Sequence, residues 1–165
     1  MSFRIKLGHA DCLRRLDVSD STLTEAIQTV FPLEGHAILE WDGLGFQINY
    51  KYDLSMMMED LLSLLQAVLS TSAGEQEVDW PSSGFPYIWR IRWNASTLEV
   101  VASNRDEAGA THLPSPQTLC STRREFLMAW QPLLSRVLTC LETAGYCEEH
   151  IAGMALLSGL SHATL

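Results

Sequence analysis

Apolar and polar residues alternate with a period of two along several short segments, which is the pattern of strands with one face in a core. The first such segment is FRIKL, which begins at Phe3. A hairpin is predicted where HAILEW and FQINYKY flank Asp42 and Gly43, residues that favour the positive φ angles of a tight turn. The segments YIWRIRW and TLEVVAS predict a second hairpin, with a break at Asn94.

Three other segments repeat their apolar residues at helical spacing. The first, DSTLTEAIQTVFP, has capping-box spacing at Thr22 and Glu25 and should end before Pro32. The second, SMMMEDLLSLLQAVLSTSAG, carries a wide apolar stripe after an N-cap predicted at Ser55. The third, STRREFLMAWQPLLSRVLTCLETAG, has its own capping box and a kink expected at Pro132.

The predicted order of elements is β, α, ββ, α, ββ, α. Hairpins in place of regular βα alternation favour an antiparallel sheet with amphipathic helices packed on one face. Turn-forming residues predict loops in GEQEVDWPSSGFP and NRDEAGATHLPSPQ, and the tail HIAGMALLSGLSHATL is either a short helix or a frayed end. We therefore expect residues 1–165 to form a single α+β domain.

The aromatic segment YIWRIRW separates its rings from its cations, because successive strand side chains point to opposite faces. The apolar face consists of Tyr87, Trp89, Ile91 and Trp93. We expect this face to lie in the core, with a ligand-binding wall as the alternative. A nucleic-acid platform needs exposed rings beside a positive track, so Arg90 and Arg92 are expected to pair with nearby carboxylates instead.

Composition is that of a globular protein, with 47% hydrophobic and 19% charged residues in 165. No apolar run approaches the roughly 20 residues of a membrane span, and the first residues lack the apolar stretch of a secretory signal. The four cysteines have no tight spacing, so reduced thiols in a cytoplasmic protein are expected. They are Cys12, Cys120, Cys140 and Cys147.

The net charge is −9, and most of it belongs to the first half of the chain. Residues 1–80 hold 13 acidic and 5 basic side chains, whereas residues 81–165 hold 7 and 6. Such a surface repels nucleic acid and attracts a basic protein partner. The alternative is that the charge serves solubility alone.

Two cysteine–histidine pairs have residue types that bind zinc: His9 with Cys12, and Cys147 with His150. They lie at opposite ends of the chain without a Cys-x-x-Cys motif, so we expect neither a metal nor another cofactor. Catalysis by a carboxylate pair or a cysteine nucleophile is the enzymatic alternative. The sequence contains neither a Gly-x-Ser-x-Gly motif nor a phosphate-binding glycine loop.

Carboxylates are concentrated around the first predicted hairpin and the ends of the second helix, with two tryptophans among them. Aromatic residues among charges are typical anchors of protein interfaces. The predicted partner-binding residues are Glu40, Trp41, Asp42, Glu75, Glu77, Asp79 and Trp80.

Several segments together resemble small bacterial immunity proteins of polymorphic-toxin and contact-dependent inhibition systems. The segments are ILEWDGLGFQINYKYDL, the leucine-rich helix after it, DWPSSGF and EFLMAWQPLLSRV. The resemblance implies a non-enzymatic cytoplasmic protein that blocks the active site of a toxin. Such families share no catalytic residues that could be assigned to positions of this chain.

We therefore expect an acidic binding protein that neutralises a basic protein partner, with aromatic anchors buried on binding. One alternative is a small hydrolase or ligand-binding enzyme that uses a carboxylate or cysteine in a pocket between sheet and helices. A homo-oligomeric structural module is another. Neither nucleic acid nor a membrane is an expected partner.

Overall fold

The computed structural model describes residues 3–9, 11–104 and 117–164. Within them, the strands are β1 (Phe3–Leu7), β2 (His36–Trp41), β3 (Leu44–Asn49), β4 (Gly74–Asp79), β5 (Tyr87–Trp93), β6 (Thr97–Asn104) and β7 (Gln117–Thr122). The helices are α1 (Leu23–Val30), α2 (Ser55–Ser70), α3 (Arg123–Ala144) and α4 (Met154–Ser161), and a π-helical turn (Tyr50–Leu54) precedes α2. The tail of the chain thus forms a short helix. Of the helices in these ranges, none is both long and apolar enough to cross a membrane.

The strands form two antiparallel sheets, with orders β1-β2-β3 and β4-β5-β6-β7. The predicted α+β fold with hairpins is therefore confirmed, but the strands are divided between two sheets instead of one. The β2–β3 hairpin turns at Asp42 and Gly43, whose φ angles are 48° and 85°. This is the positive-φ turn that the sequence predicts.

Two strands, β4 and β7, were not predicted, because few of their residues are apolar. In β4 only Val78 is a large buried side chain, so the segment has the composition of an acidic loop. Its first residue, Gly74, lies against the ring of Trp93, where a Cβ atom would come within 2.3 Å of the ring. In β7 only Leu119 is buried. The loop predicted between β6 and β7 falls mainly on residues 105–116, outside the described residues.

The predicted second strand of the first hairpin is too long, because the chain turns into the π-helical turn after Asn49. The Asn49 side-chain oxygen accepts a hydrogen bond of 3.0 Å from the Tyr52 backbone N–H. Tyr50 is buried and stacks on Phe31 with ring centroids 4.5 Å apart. Ser55 is the first residue of α2 and not its N-cap, and its hydroxyl donates to a backbone carbonyl one turn earlier.

The helix ends follow the predicted capping chemistry. Both capping boxes are formed, one by Thr22 and Glu25 and one by Thr122 and Glu125. Gly145 ends α3 in the left-handed conformation, with φ at 103°. The helix α3 is continuous from Arg123 to Ala144 and contains Pro132 in its interior.

The buried side chains form one apolar cluster, which contains the ring face of β5. The prediction that this face belongs to the core is confirmed. Three of its fully buried tryptophans lie close together: the Trp80 ring is 5.0 Å from Trp89 and 6.5 Å from Trp130, measured between centroids. Large aromatic side chains contribute much of the apolar area that such a core buries.

A disulfide joins Cys12, in the segment between β1 and α1, to Cys140 in α3. The Cα atoms are 5.6 Å apart, and 128 positions separate the two residues in the sequence. The prediction of four reduced thiols is therefore wrong for these two. Cys120 and Cys147 are free. The spacing of the cysteines could not reveal the pair, because α3 reaches Cys12 only through the tertiary fold.

Candidate partner-binding surface

Three of the predicted carboxylates lie together on the solvent-exposed face of the four-stranded sheet. The β4–β5 register places Glu75 opposite Arg92 and Glu77 opposite Arg90, and Asp79 follows on the same face. Arg90 Nε donates to Glu77 at 2.9 Å, and Arg92 Nη2 donates to Glu75 at 3.1 Å. The expectation that both arginines pair with nearby carboxylates is confirmed.

These ion pairs neutralise part of the sheet's charge. The hydrogen bond from Arg92 to Glu75 and their opposite charges raise the pKa of the guanidinium, with a further contribution from Glu99 on β6. The side chains of both pairs are more than half exposed, so water screens each pair and its contribution to the stability of the fold is small. Glu75 and Glu77 are therefore in contact with cations before any partner binds.

The other two predicted carboxylates belong to the three-stranded sheet. Glu40 lies on β2 and forms an ion pair with Lys6 of the neighbouring strand. Asp42 is exposed at the tip of the β2–β3 hairpin. The structure thus divides the predicted carboxylates between two sheets.

Both predicted aromatic anchors are core residues. The side chains of Trp41 and Trp80 are 3% and 0% exposed. Trp41 occupies an inward position of β2 and packs edge-on against Trp89, with centroids 5.7 Å apart. Trp80 directly follows β4, and its backbone N–H donates to the Tyr87 carbonyl at 2.8 Å. Neither ring is available to a partner in this fold, so the anchor role assigned to them is corrected.

A buried carboxylate, Asp53, holds the segment DWPSSGF in place. It accepts a hydrogen bond from the Asn49 backbone N–H at 2.8 Å and another from the Ser82 hydroxyl. The Ser82 oxygen in turn accepts hydrogen bonds from the backbone N–H groups of Gly84 and Phe85, both at 3.1 Å. Buried polar groups need such partners, so this network has a structural role.

The four candidate zinc ligands do not come together. Cys12 is bonded to Cys140, and the His9 ring lies 3.5 Å from the Asp11 carboxylate. Cys147 Sγ lies 2.9 Å from His150 Nδ1. This cysteine–histidine pair is therefore close together, but the His9 and Cys12 pair does not join it. In the part of the chain that the structure describes, no group of three or more potential metal ligands occurs. A hydrogen bond with Glu149 raises the pKa of the Cys147 thiol, which opposes formation of a nucleophilic thiolate.

An open cleft of about 670 Å³ lies between β1 and α3. Its lining residues are Phe3, Arg4, Ile5, Lys6, Ser121, Glu125, Met128, Ala129 and Pro132. Hydrogen bonds from the backbone and hydroxyl of Thr122 lower the pKa of Glu125. A general acid at neutral pH requires the opposite shift, and this carboxylate already caps α3. A second, separate cavity lies beside the ring face of β5. Its volume is only about 10 Å³, which is room for about one water molecule.

An acidic surface that the sequence analysis did not single out lies on α2 and on the π-helical turn that precedes it. We call it the α2 face and define it as Tyr52, Met56, Glu59 and Asp60. All four side chains are exposed, whereas the leucines of the helix are largely buried. The signal was present in the sequence, because the polar positions of α2 fall opposite its leucine stripe.

Comparisons of the chain with protein-family models, curated proteins and solved structures found no match. The resemblance to immunity proteins therefore stays an interpretation of the sequence.

Proposed function

We propose that this protein binds and neutralises a basic protein partner, as an immunity protein blocks its cognate toxin. One observation carries the proposal: of the 13 carboxylates in residues 1–80, every one except Asp53 is exposed or half-exposed. The same residues hold 5 basic side chains. This part of the protein therefore presents a negative surface to its surroundings.

A negative surface of this kind acts on a partner before contact. Summed surface charges steer an oppositely charged protein and raise its rate of association. Salt weakens the effect, since the Debye length is about 8 Å at physiological ionic strength. Glu40, Asp42, Glu75, Glu77 and Asp79 contribute to this field even where a cation lies beside them.

We propose a cytoplasmic location, which the resemblance to immunity proteins implies. The disulfide between Cys12 and Cys140 weighs against this location, because persistent disulfides are rare in the cytosol.

The homo-oligomeric module stays an alternative prediction. We also propose a binding protein in preference to a hydrolase. The carboxylate in the open cleft, Glu125, is held in a helix cap, so no specific observation favours acid–base chemistry there.

The tagged protein should retain a basic protein from lysate of its native host. We expect roughly equimolar retention at about 50 mM salt and clearly less at about 300 mM, because screening shortens the reach of the surface charge. Mass spectrometry identifies the retained protein. Retention of no basic protein, or retention that salt does not alter, would contradict the proposal.

A further inference from the structure

We infer that the basic partner contacts the α2 face, and that β4 contributes to steering but not to the contact. The inference rests on the proposed function and names its binding site. It departs from the predicted site, because Trp41 and Trp80 are buried and two of the β4 carboxylates already have cationic partners. The α2 face offers exposed apolar groups and carboxylates side by side.

Two of its residues can act as apolar anchors. Tyr52 is 50% exposed and Met56 is 43% exposed. Tyrosine and methionine are both enriched in protein interfaces. The backbone at Tyr52 is fixed, because its N–H is hydrogen-bonded to Asn49 and the next two residues, Asp53 and Leu54, are buried. A ring on a fixed backbone loses little conformational entropy when a partner covers it.

The carboxylates of the α2 face differ from those of β4 in their surroundings. Within the described residues, Glu59 and Asp60 form no ion pair, whereas Glu75 and Glu77 are each paired with an arginine. A cation from a partner can therefore bind Glu59 or Asp60 without displacing another cation. At β4 a cation from the partner would have to break an existing ion pair. The free energy lost with that pair cancels most of the free energy gained from the new contact.

The helix beneath this face is firmly held. The residues of α2 that pack into the core are Ser55, Met57, Met58, Leu61, Leu62, Leu64, Leu65 and Val68. The α2 face thus lies on the exposed side of α2 and of the π-helical turn before it, and the opposite side packs into the core, so its side chains keep a constant spacing. Rigid elements position binding residues more accurately than loops do.

The occupant that fits is a basic segment of a protein partner. Its arginine or lysine side chains meet Glu59 and Asp60, and an apolar neighbour covers Met56. An arginine can also stack on the exposed Tyr52 ring, because the ring face attracts cations. The charge complementarity between two unpaired carboxylates and a basic segment sets this occupant apart from an acidic or neutral one.

The test measures the dissociation constant of the purified basic protein that the capture retains, by titration calorimetry. We expect Glu59→Lys with Asp60→Lys to weaken binding by at least about tenfold, and Tyr52→Ala by about thirtyfold. The matched control is Glu142→Lys with Glu148→Lys, which changes the charge equally at two exposed positions. We expect the control to stay within about threefold of the wild type. Circular dichroism verifies that each variant is folded.

The outcomes separate this inference from the proposed function. If the α2 variant binds as tightly as the control, the inference is wrong and the neutraliser proposal stands. If Glu75→Gln with Glu77→Gln weakens binding more than the α2 variant does, the contact lies on β4, which also overturns the inference. If the wild-type protein retains no basic protein at all, the proposed function has failed, and the α2 site falls with it.

Discussion

Reduction of the Cys12–Cys140 disulfide is expected to lower the free energy of unfolding by about 4 kcal/mol. The bond closes a loop of more than 120 residues, since 128 positions separate the two cysteines. A cross-link of this length removes much of the conformational entropy of the unfolded chain. For a protein of this size we expect the melting temperature to fall by about 10 °C. Urea unfolding with and without reductant measures the change.

The matched control is the variant Cys12→Ser with Cys140→Ala, whose stability should not respond to reductant. Replacement of the free cysteines, Cys120 and Cys147, should leave the response of the wild-type bond unchanged. A difference below about 1 kcal/mol between oxidised and reduced wild-type protein would show that the bond does not stabilise the fold.

Trp80→Ala is expected to lower the free energy of unfolding by about 3–5 kcal/mol. The ring is fully buried and lies 4.9 Å from Phe85 and 5.0 Å from Trp89, centroid to centroid, so its removal leaves a cavity between aromatic neighbours. A surface anchor would behave differently, because exposed substitutions usually change stability by less than about 0.5 kcal/mol. Denaturant unfolding therefore distinguishes the core position from the predicted anchor role.

Trp80→Phe is the control for the loss of ring volume. The Trp80 indole N–H makes no hydrogen bond to the described residues, so phenylalanine removes no polar contact and should be tolerated much better than alanine. If Trp80→Ala is as stable as the wild-type protein, the buried position of this ring is wrong.

Strong alternation made part of the fold predictable. In β5 every second side chain is large and apolar, so a period of two identified both the strand and its inward face. The same reasoning, applied to HAILEW, would have put Trp41 in the core, since it is in phase with Ala37 and Leu39. Its acidic neighbours, Glu40 and Asp42, drew it into the predicted interface instead. The alternating pattern of β2 indicated a core position for Trp41, but the acidic residues beside it favoured an interface position.

Other features depend on strand pairing and packing that the pattern of a single segment does not show. The strand β4 has one large apolar side chain, Val78, and its hydrogen-bonding partner is a strand that follows later in the sequence. The disulfide depends on how α3 packs against the segment after β1. The composition of the chain shows that its first half is acidic. Which arginines pair with Glu75 and Glu77 follows only from the β4–β5 register. This is why the sequence pointed to β4, whereas our inference places the contact on the α2 face.

The most direct measurement is the rate at which the purified partner associates with this protein as salt is varied, by stopped-flow fluorescence. We expect the association rate to fall at least about tenfold between about 20 mM and about 300 mM salt, with a much smaller change in the dissociation rate. That result would mean that the exposed carboxylates steer the partner electrostatically and so raise its association rate. An association rate that does not change with salt would contradict neutralisation of a basic protein through an acidic surface.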